Sequence, residues 1–146
     1  MEIYQSYTTQ TSSPDCEQYK KFESLMLGKP YKKRACGKDA VDCWGLIVLF
    51  YELCRNININ NFFEYENGSP FDECYRTGIT SWRDTDAPEK GDMIVSYIGA
   101  NPVHVGLWWG HDKILHARDG TFVRIDRIRT MEKLSTMVRY FRYADY

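Results

Sequence analysis

Apolar and polar residues change their spacing along this chain, and each change marks a different kind of element. After Ser13-Pro14, the residues Tyr19, Phe22 and Met26 recur at three- and four-residue intervals. That spacing predicts a helix with Ser as its cap and Pro in the first turn, where a missing N–H costs nothing. Gly28 supplies a C-terminal stop, and Pro30-Tyr31 opens a polar, basic loop running to Val41. From Asp42 to Leu53 the pattern is apolar almost all round, with Trp44, Ile47, Val48, Phe50, Tyr51 and Leu53. This predicts a buried central helix with the Asp42 carboxylate at its start, where it can cap exposed N–H groups. Asn56 to Asn61 alternates Asn with Ile and fits either a short strand or an ordered loop. Phe71 to Thr77 fits a short helix.

In the second half the period shortens to two. A Gly91-Asp92 turn precedes the run Met93 to Ile98, and Val103 to Trp109 and Lys113 to Ala117 flank Gly110-His111-Asp112 as in a hairpin. Thr121 to Ile128 and Met137 to Tyr143 alternate and read as two further strands. Helices come first and a meander follows, so the expected fold class is α+β, with N-terminal helices packed on one face of an antiparallel sheet. Met1 to Ser13 reads as a flexible or partner-bound arm, and residues 14–146 as a single domain. There is no internal repeat or low-complexity tract.

Composition narrows the function classes. A chain of 146 residues suits one core, and 43% hydrophobic with 27% charged residues is a globular balance. The net charge of −1 lacks the basic excess of a nucleic-acid binder, so Lys32-Lys33-Arg34 reads as a solvated loop. The apolar stretch Trp44 to Tyr51 is far too short to span a bilayer. Met1 to Ser13 has no basic start followed by an apolar run, which predicts a protein made and first folded in a cytoplasm without an export route. The five cysteines, at 16, 36, 43, 54 and 74, form no C-x-x-C pair. Neither a disulfide framework nor a zinc ribbon follows, and free thiols are expected.

Cys43 differs from the others by position. It falls in the first turn of the apolar helix, where unpaired N–H groups and the helix dipole favour a thiolate. Gly45 removes bulk beside it, which predicts close approach of a substrate. A cysteine so placed is also commonly a small buried apolar group, so position alone does not settle its role. His104 is a polar residue within a β-forming run, and His116 recurs on the partner strand. A hairpin loop of three or five residues would put both rings on one sheet face, whereas a two-residue loop would separate them. With the faces matched, His104 can take the Cys43 proton while His116 holds its ring in place, and an imidazolium–thiolate ion pair is expected. His111 sits in the turn and reads as solvated. Two histidines and a cysteine could also bind zinc, but no fourth ligand stands at a recognisable spacing, so no metal or cofactor is expected.

Five segments, in order, carry a family resemblance: Gly28-Lys29-Pro30-Tyr31, Asp42-Cys43-Trp44-Gly45-Leu46, Gly91-Asp92, His104-Val105-Gly106 and Leu115-His116-Ala117. Together they resemble the NlpC family of papain-like cysteine peptidases over about 100 residues. The resemblance implies a catalytic triad of Cys43, His104 and His116, with Tyr31, Asp42 and Trp44 around the substrate or oxyanion. It also implies cleavage of peptidoglycan stem peptides, often between D-γ-glutamate and a diamino acid. Trp44 in Asp-Cys-Trp-Gly-Leu is similar to versions in bacteriophage tail proteins. That implies a virion-tail location, other tail-tip proteins as partners, and a role in opening the wall or in tail assembly. Ala35-Cys36-Gly37 departs from the family's paired glycines, keeping only the second. The rival readings are a structural tail protein with the fold but little turnover, an amidase or acyltransferase on the same scaffold, and a wall-binding module.

Overall fold

The computed structural model describes residues 14–59 and 82–143, with side chains from residue 17 onward. The expectations for Met1 to Ser13, for Asn60 and Asn61, and for the helix at Phe71 to Thr77 lie outside the described residues. Helix α1 spans Pro14–Met26 and buries Tyr19, Phe22 and Met26. It ends where Gly28 adopts φ +86°, a conformation open to glycine, and the Gly28 N–H crosses to the Val123 carbonyl at 2.9 Å. Helix α2, Cys43–Arg55, is buried on nearly every side, as its all-round apolar pattern requires. Asp42 is its N-cap and Asn56, at φ 55°, its left-handed C-cap. Asn56 to Ile59 continue without regular structure, so the Asn–Ile alternation there forms an ordered loop.

Among the described residues six strands form one antiparallel sheet: β1 Trp82–Asp84, β2 Met93–Ile98, β3 Asn101–Trp108, β4 Lys113–His116, β5 Arg124–Arg127 and β6 Met137–Tyr143. Their spatial order is β1-β6-β2-β3-β4-β5. The expected meander therefore holds from β2 to β5, but β6 returns across the sheet to pair with β2, and β1 extends it beyond β6. Sequence alternation cannot show such a return, because it specifies faces and not neighbours. Thr121 to Ile128 is also shorter as a strand than expected. Pairing ends at Arg127, and a helix α3, Ile128–Leu134, follows directly.

Alternation assigns the two faces. Met93, Val95, Val105, Leu107 and Leu115 pack with α1 and α2 around Phe50, Tyr51 and Trp109. Ile94 and Ile114 point the other way and pack with Ile128 and Met131 of α3. The α+β class with N-terminal helices on an antiparallel sheet is what the structure shows, with α3 as an addition covering part of the second face. At the Gly-Asp turn before β2, Asp92 is buried, accepts the Glu89 N–H at 2.7 Å and pairs with Arg142 of β6 at 2.8 Å. The Arg55 guanidinium locks α2 to α1 through the Tyr19 hydroxyl, 2.8 Å away.

Candidate active site

The Asp42 carboxylate sets the position of Cys43. One of its oxygens accepts the Gly45 N–H at 2.7 Å and the other accepts the Arg34 N–H at 2.8 Å. A single side chain thus ties the basic loop to the start of α2. Gly45 belongs to the same joint: a Cβ there would lie 2.0 Å from the Ala35 carbonyl oxygen. The space at Gly45 is filled by this loop carbonyl rather than left for a substrate, which corrects the expected role of that glycine. The Trp44 side chain is buried in the core, and its backbone N–H favours the anion at the sulfur. Asp42 itself is sealed from solvent and acts as a cap, so of Tyr31, Asp42 and Trp44 only Tyr31 lines the cleft. The sulfur of Cys36, near in sequence, points to the Gly45 carbonyl 3.5 Å away, and among the described residues Cys36, Cys43 and Cys54 form no disulfide.

The hairpin resolves the parity of the histidines. Leu107 pairs with Leu115 and Trp108 with Ile114, while the Trp109 N–H meets the Lys113 carbonyl at 2.8 Å. That leaves Gly110, His111 and Asp112 as an odd loop, all three at positive φ, and puts His104 and His116 on one face. Their rings meet, with His104 Nε2 2.8 Å from His116 Nδ1. His116 Nε2 in turn lies 2.8 Å from Asp126 Oδ2, and Arg124 Nε is 3.0 Å from that same oxygen. Sequence reasoning missed Asp126. Its only signal was a lone acid within the alternating segment Arg124-Ile125-Asp126-Arg127, and that acquires meaning only once β5 is known to flank β4.

This chain of contacts fixes tautomers. A carboxylate only accepts, so the proton of His116 sits on Nε2 and its Nδ1 carries a lone pair. His104 must then donate from Nε2, which leaves its own Nδ1 as the basic nitrogen. Cys43 and His104 line one cavity of about 270 Å³, together with Tyr31, Ser96, Arg118 and Met131. The β3–β4 ladder ends at Leu107–Leu115, and beyond it the backbone of Val105, next to His104, favours the anion at the Cys43 sulfur. A larger hollow of about 460 Å³ beside the β3–β4 turn is lined by His111, Asp112, Lys113 and Glu132 but contains no thiol. Chemistry therefore selects the smaller one.

Electrostatics correct one expectation. Burial, reinforced by the Asp42 carboxylate, pushes the Cys43 thiol up to about 12, against the N–H groups of Val105 and Trp44, which favour the anion. Burial, with the charges of His116 and Arg118 adding to it, pushes His104 down to about 3. The resting pair is thus a thiol and a neutral imidazole, not the ion pair expected from helix position alone. Desolvation penalises both charges, and the dipole of one helix turn is a smaller effect. Burial likewise lowers His116 despite Asp126, and raises the Tyr31 phenol, with Cys43, Asp42 and Asp119 adding to the shift. Tyr31 therefore remains an O–H donor beside the sulfur. Among the described residues no group of His, Cys, Asp and Glu is arranged to hold a metal ion.

A profile of the NlpC/P60 family matches residues 28–142, which contain every group just described. The chain belongs to the NlpC/P60 family. No curated protein sequence matches it. Among solved structures, this NlpC/P60 domain is similar to that of the peptidoglycan hydrolase SagA, with a TM-score of 0.59 and 13% identity over 87% of this chain and 95% of that one. It is also similar to an NlpC/P60 family protein from Bacillus cereus, with a TM-score of 0.64 and 20% identity over 88% of this chain. NlpC2 from Trichomonas vaginalis gives a TM-score of 0.61 at 16% identity over 90% of this chain. The domain spans only 40% and 47% of those last two proteins. At such identities the likeness shows the fold.

Proposed function

We propose that this NlpC/P60 domain is a cysteine peptidase that hydrolyses amide bonds in peptidoglycan stem peptides. The observation that carries the reading is the linked chain His104–His116–Asp126, which leaves a basic nitrogen on His104 in the same cleft as the Cys43 thiol. In the proposed reaction the sulfur attacks the scissile carbonyl as its proton passes to His104 Nδ1, so no separate thiolate has to exist in the buried cleft. The tetrahedral oxyanion takes hydrogen bonds from the Tyr31 hydroxyl and from N–H groups at the start of α2. The same imidazolium then protonates the leaving amine and forms a thioester. Water, deprotonated by His104, hydrolyses the thioester and restores the thiol.

The bond we favour is that between D-γ-glutamate and a diamino acid, and the setting a bacteriophage tail tip, with other tail proteins as partners. The family and the similarity to a peptidoglycan hydrolase support the substrate class. The segment Asp42-Cys43-Trp44-Gly45-Leu46 supports the tail setting. Detection of the chain by mass spectrometry in purified phage particles tests that location, and its absence from them overturns it. A structural tail component with slow turnover is the second reading, favoured by the thiol being held neutral. Release of new amino groups from purified peptidoglycan, compared between the wild type and Cys43→Ala, separates the two. Equal release removes the cysteine mechanism.

A further inference from the structure

A carboxylate against an imidazole has two possible effects, and only one of them serves the relay. Asp126 can hold a neutral His116 in the tautomer that leaves Nδ1 a lone pair, or it can draw a second proton onto the ring. A doubly protonated His116 donates from both nitrogens. Its Nδ1–H would then face His104 Nε2, 2.8 Å away, and force that nitrogen to accept. The His104 proton would move to Nδ1, the nitrogen that has to be basic. The relay therefore needs Asp126 to orient His116 without charging it.

The outer end of the relay carries a group suited to that. Arg124 is the cross-strand partner of His116 and stands two residues from Asp126, so all three side chains share one sheet face. Its Nε lies 3.0 Å from Asp126 Oδ2, the same oxygen that meets His116 Nε2 at 2.8 Å. Side-chain exposure rises from 0% at His116 to 17% at Asp126 and 45% at Arg124, so the guanidinium is the solvent-facing end. Phe122 supports it: Arg124 Cζ is 5.8 Å from the centre of that ring, and Phe122 is itself bridged to Pro30, next to Tyr31. The other charged or titratable groups around His116 are His104 of β3 and Arg118 beyond β4. Cys43 of α2, Tyr31 and Asp119 line the cleft that His104 enters, where α3 presents Met131 and Leu134.

We propose that Arg124 is a positioning residue of the peptidase, sharing the Asp126 carboxylate with His116 so that the imidazole is oriented but stays neutral. This rests on the peptidase reading and deepens it. A guanidinium keeps its charge at every working pH, so it competes for the carboxylate without titrating itself. Burial lowers the proton affinity of His116 and contact with Asp126 raises it, while the charges of Arg118 and Arg124 add to the lowering.

The test compares the full-length wild type, Arg124→Gln and Arg124→Lys by nitrogen NMR of the imidazoles across pH, and by kcat for amino-group release from peptidoglycan. In Arg124→Gln, His116 is expected to take its second proton at higher pH and the acid limb of kcat to move up with it. On that limb kcat should fall about three- to tenfold below the wild type at equal pH, with less than about a twofold change on the alkaline plateau. Arg124→Lys should restore both curves. A His116 titration or an acid limb unmoved in Arg124→Gln, or a lysine variant no nearer the wild type, overturns the role; an arginine that only stabilises the fold would lower Tm and move neither curve. If Arg124→Gln does not fold, the wild type is titrated at low and high salt. Screening of the exposed guanidinium should raise the His116 transition, and an unchanged one overturns the role. Absence of turnover in the wild type at every pH removes the peptidase reading, whereas the NMR titration still decides whether Arg124 keeps His116 neutral.

Discussion

Replacing Asp126 with Asn changes one atom and reverses the direction in which a proton can be held. In the native chain the carboxylate accepts from His116 Nε2, and each of the two links up to His104 measures 2.8 Å. An amide at position 126 can present its NH₂ to that nitrogen, which then has to accept. The proton of His116 moves to Nδ1, His104 Nε2 becomes the acceptor, and the His104 proton is placed on Nδ1, the nitrogen needed as base. If the amide oxygen faces His116 instead, the native tautomers survive with a neutral hydrogen bond in place of a charge-assisted one. The difference between those bonds is about 1–2 kcal/mol, or roughly five- to thirtyfold in rate. The wrong tautomer adds to that loss, so kcat is expected to fall by about five- to a thousandfold while KM changes little. Asp126→Ala, which leaves the His116 N–H unpaired, is expected to lose activity and also stability, by about 1–3 kcal/mol. The assay is initial-rate release of amino groups from peptidoglycan, with nitrogen NMR of the two imidazoles reporting the tautomers. Native kcat in both variants, or a proton found on His104 Nδ1 in the wild type, would refute the reasoning.

With its thiol near 12, Cys43 should react with iodoacetamide at pH 7 about a thousandfold more slowly than a free thiol of pKa about 8.5, and keep accelerating past pH 9. A rate plateau extending below pH 7 would mean a resting ion pair instead. His104 titrates near 3 in the folded state and about 6.5 when unfolded, so below pH 6.5 the unfolded chain binds the extra proton. Stability is then full above pH 6.5 and lost on acidification towards pH 3, at about 1.4 kcal/mol per pH unit. Urea unfolding at pH 7 and pH 5 should show a decline that is smaller in His104→Gln, and an unchanged decline counts against a buried neutral base. Gly45→Ala would ordinarily favour a helix, but its Cβ would strike the Ala35 carbonyl. It is expected to cost about 3 kcal/mol and lower Tm by roughly 10 °C, and a rise in Tm on thermal unfolding would show that the loop yields freely.

Local pattern along the chain was enough for much of this protein. The apolar run from Trp44 to Tyr51 pointed to a buried helix, and Asp42 ahead of it offered a carboxylate to cap it. Cys43, His104 and His116 were legible because they break their surroundings chemically and match a family order. Tertiary structure decided what depends on neighbours. Period-two alternation fixes which face a residue takes and is silent on which strand lies alongside, so the return of β6 to β2 and the contact of Asp126 with His116 could not be read. Nor could the parity of the hairpin, which turns on one residue of loop length. Beyond the strand expected to end at Ile128, Ile128 and Met131 are met by Ile94 and Ile114 on the second face of the sheet, and packing there holds a helix. The charge state of the thiol depends on burial, a property of the whole fold, and burial outweighs the helix terminus that a sequence can reveal.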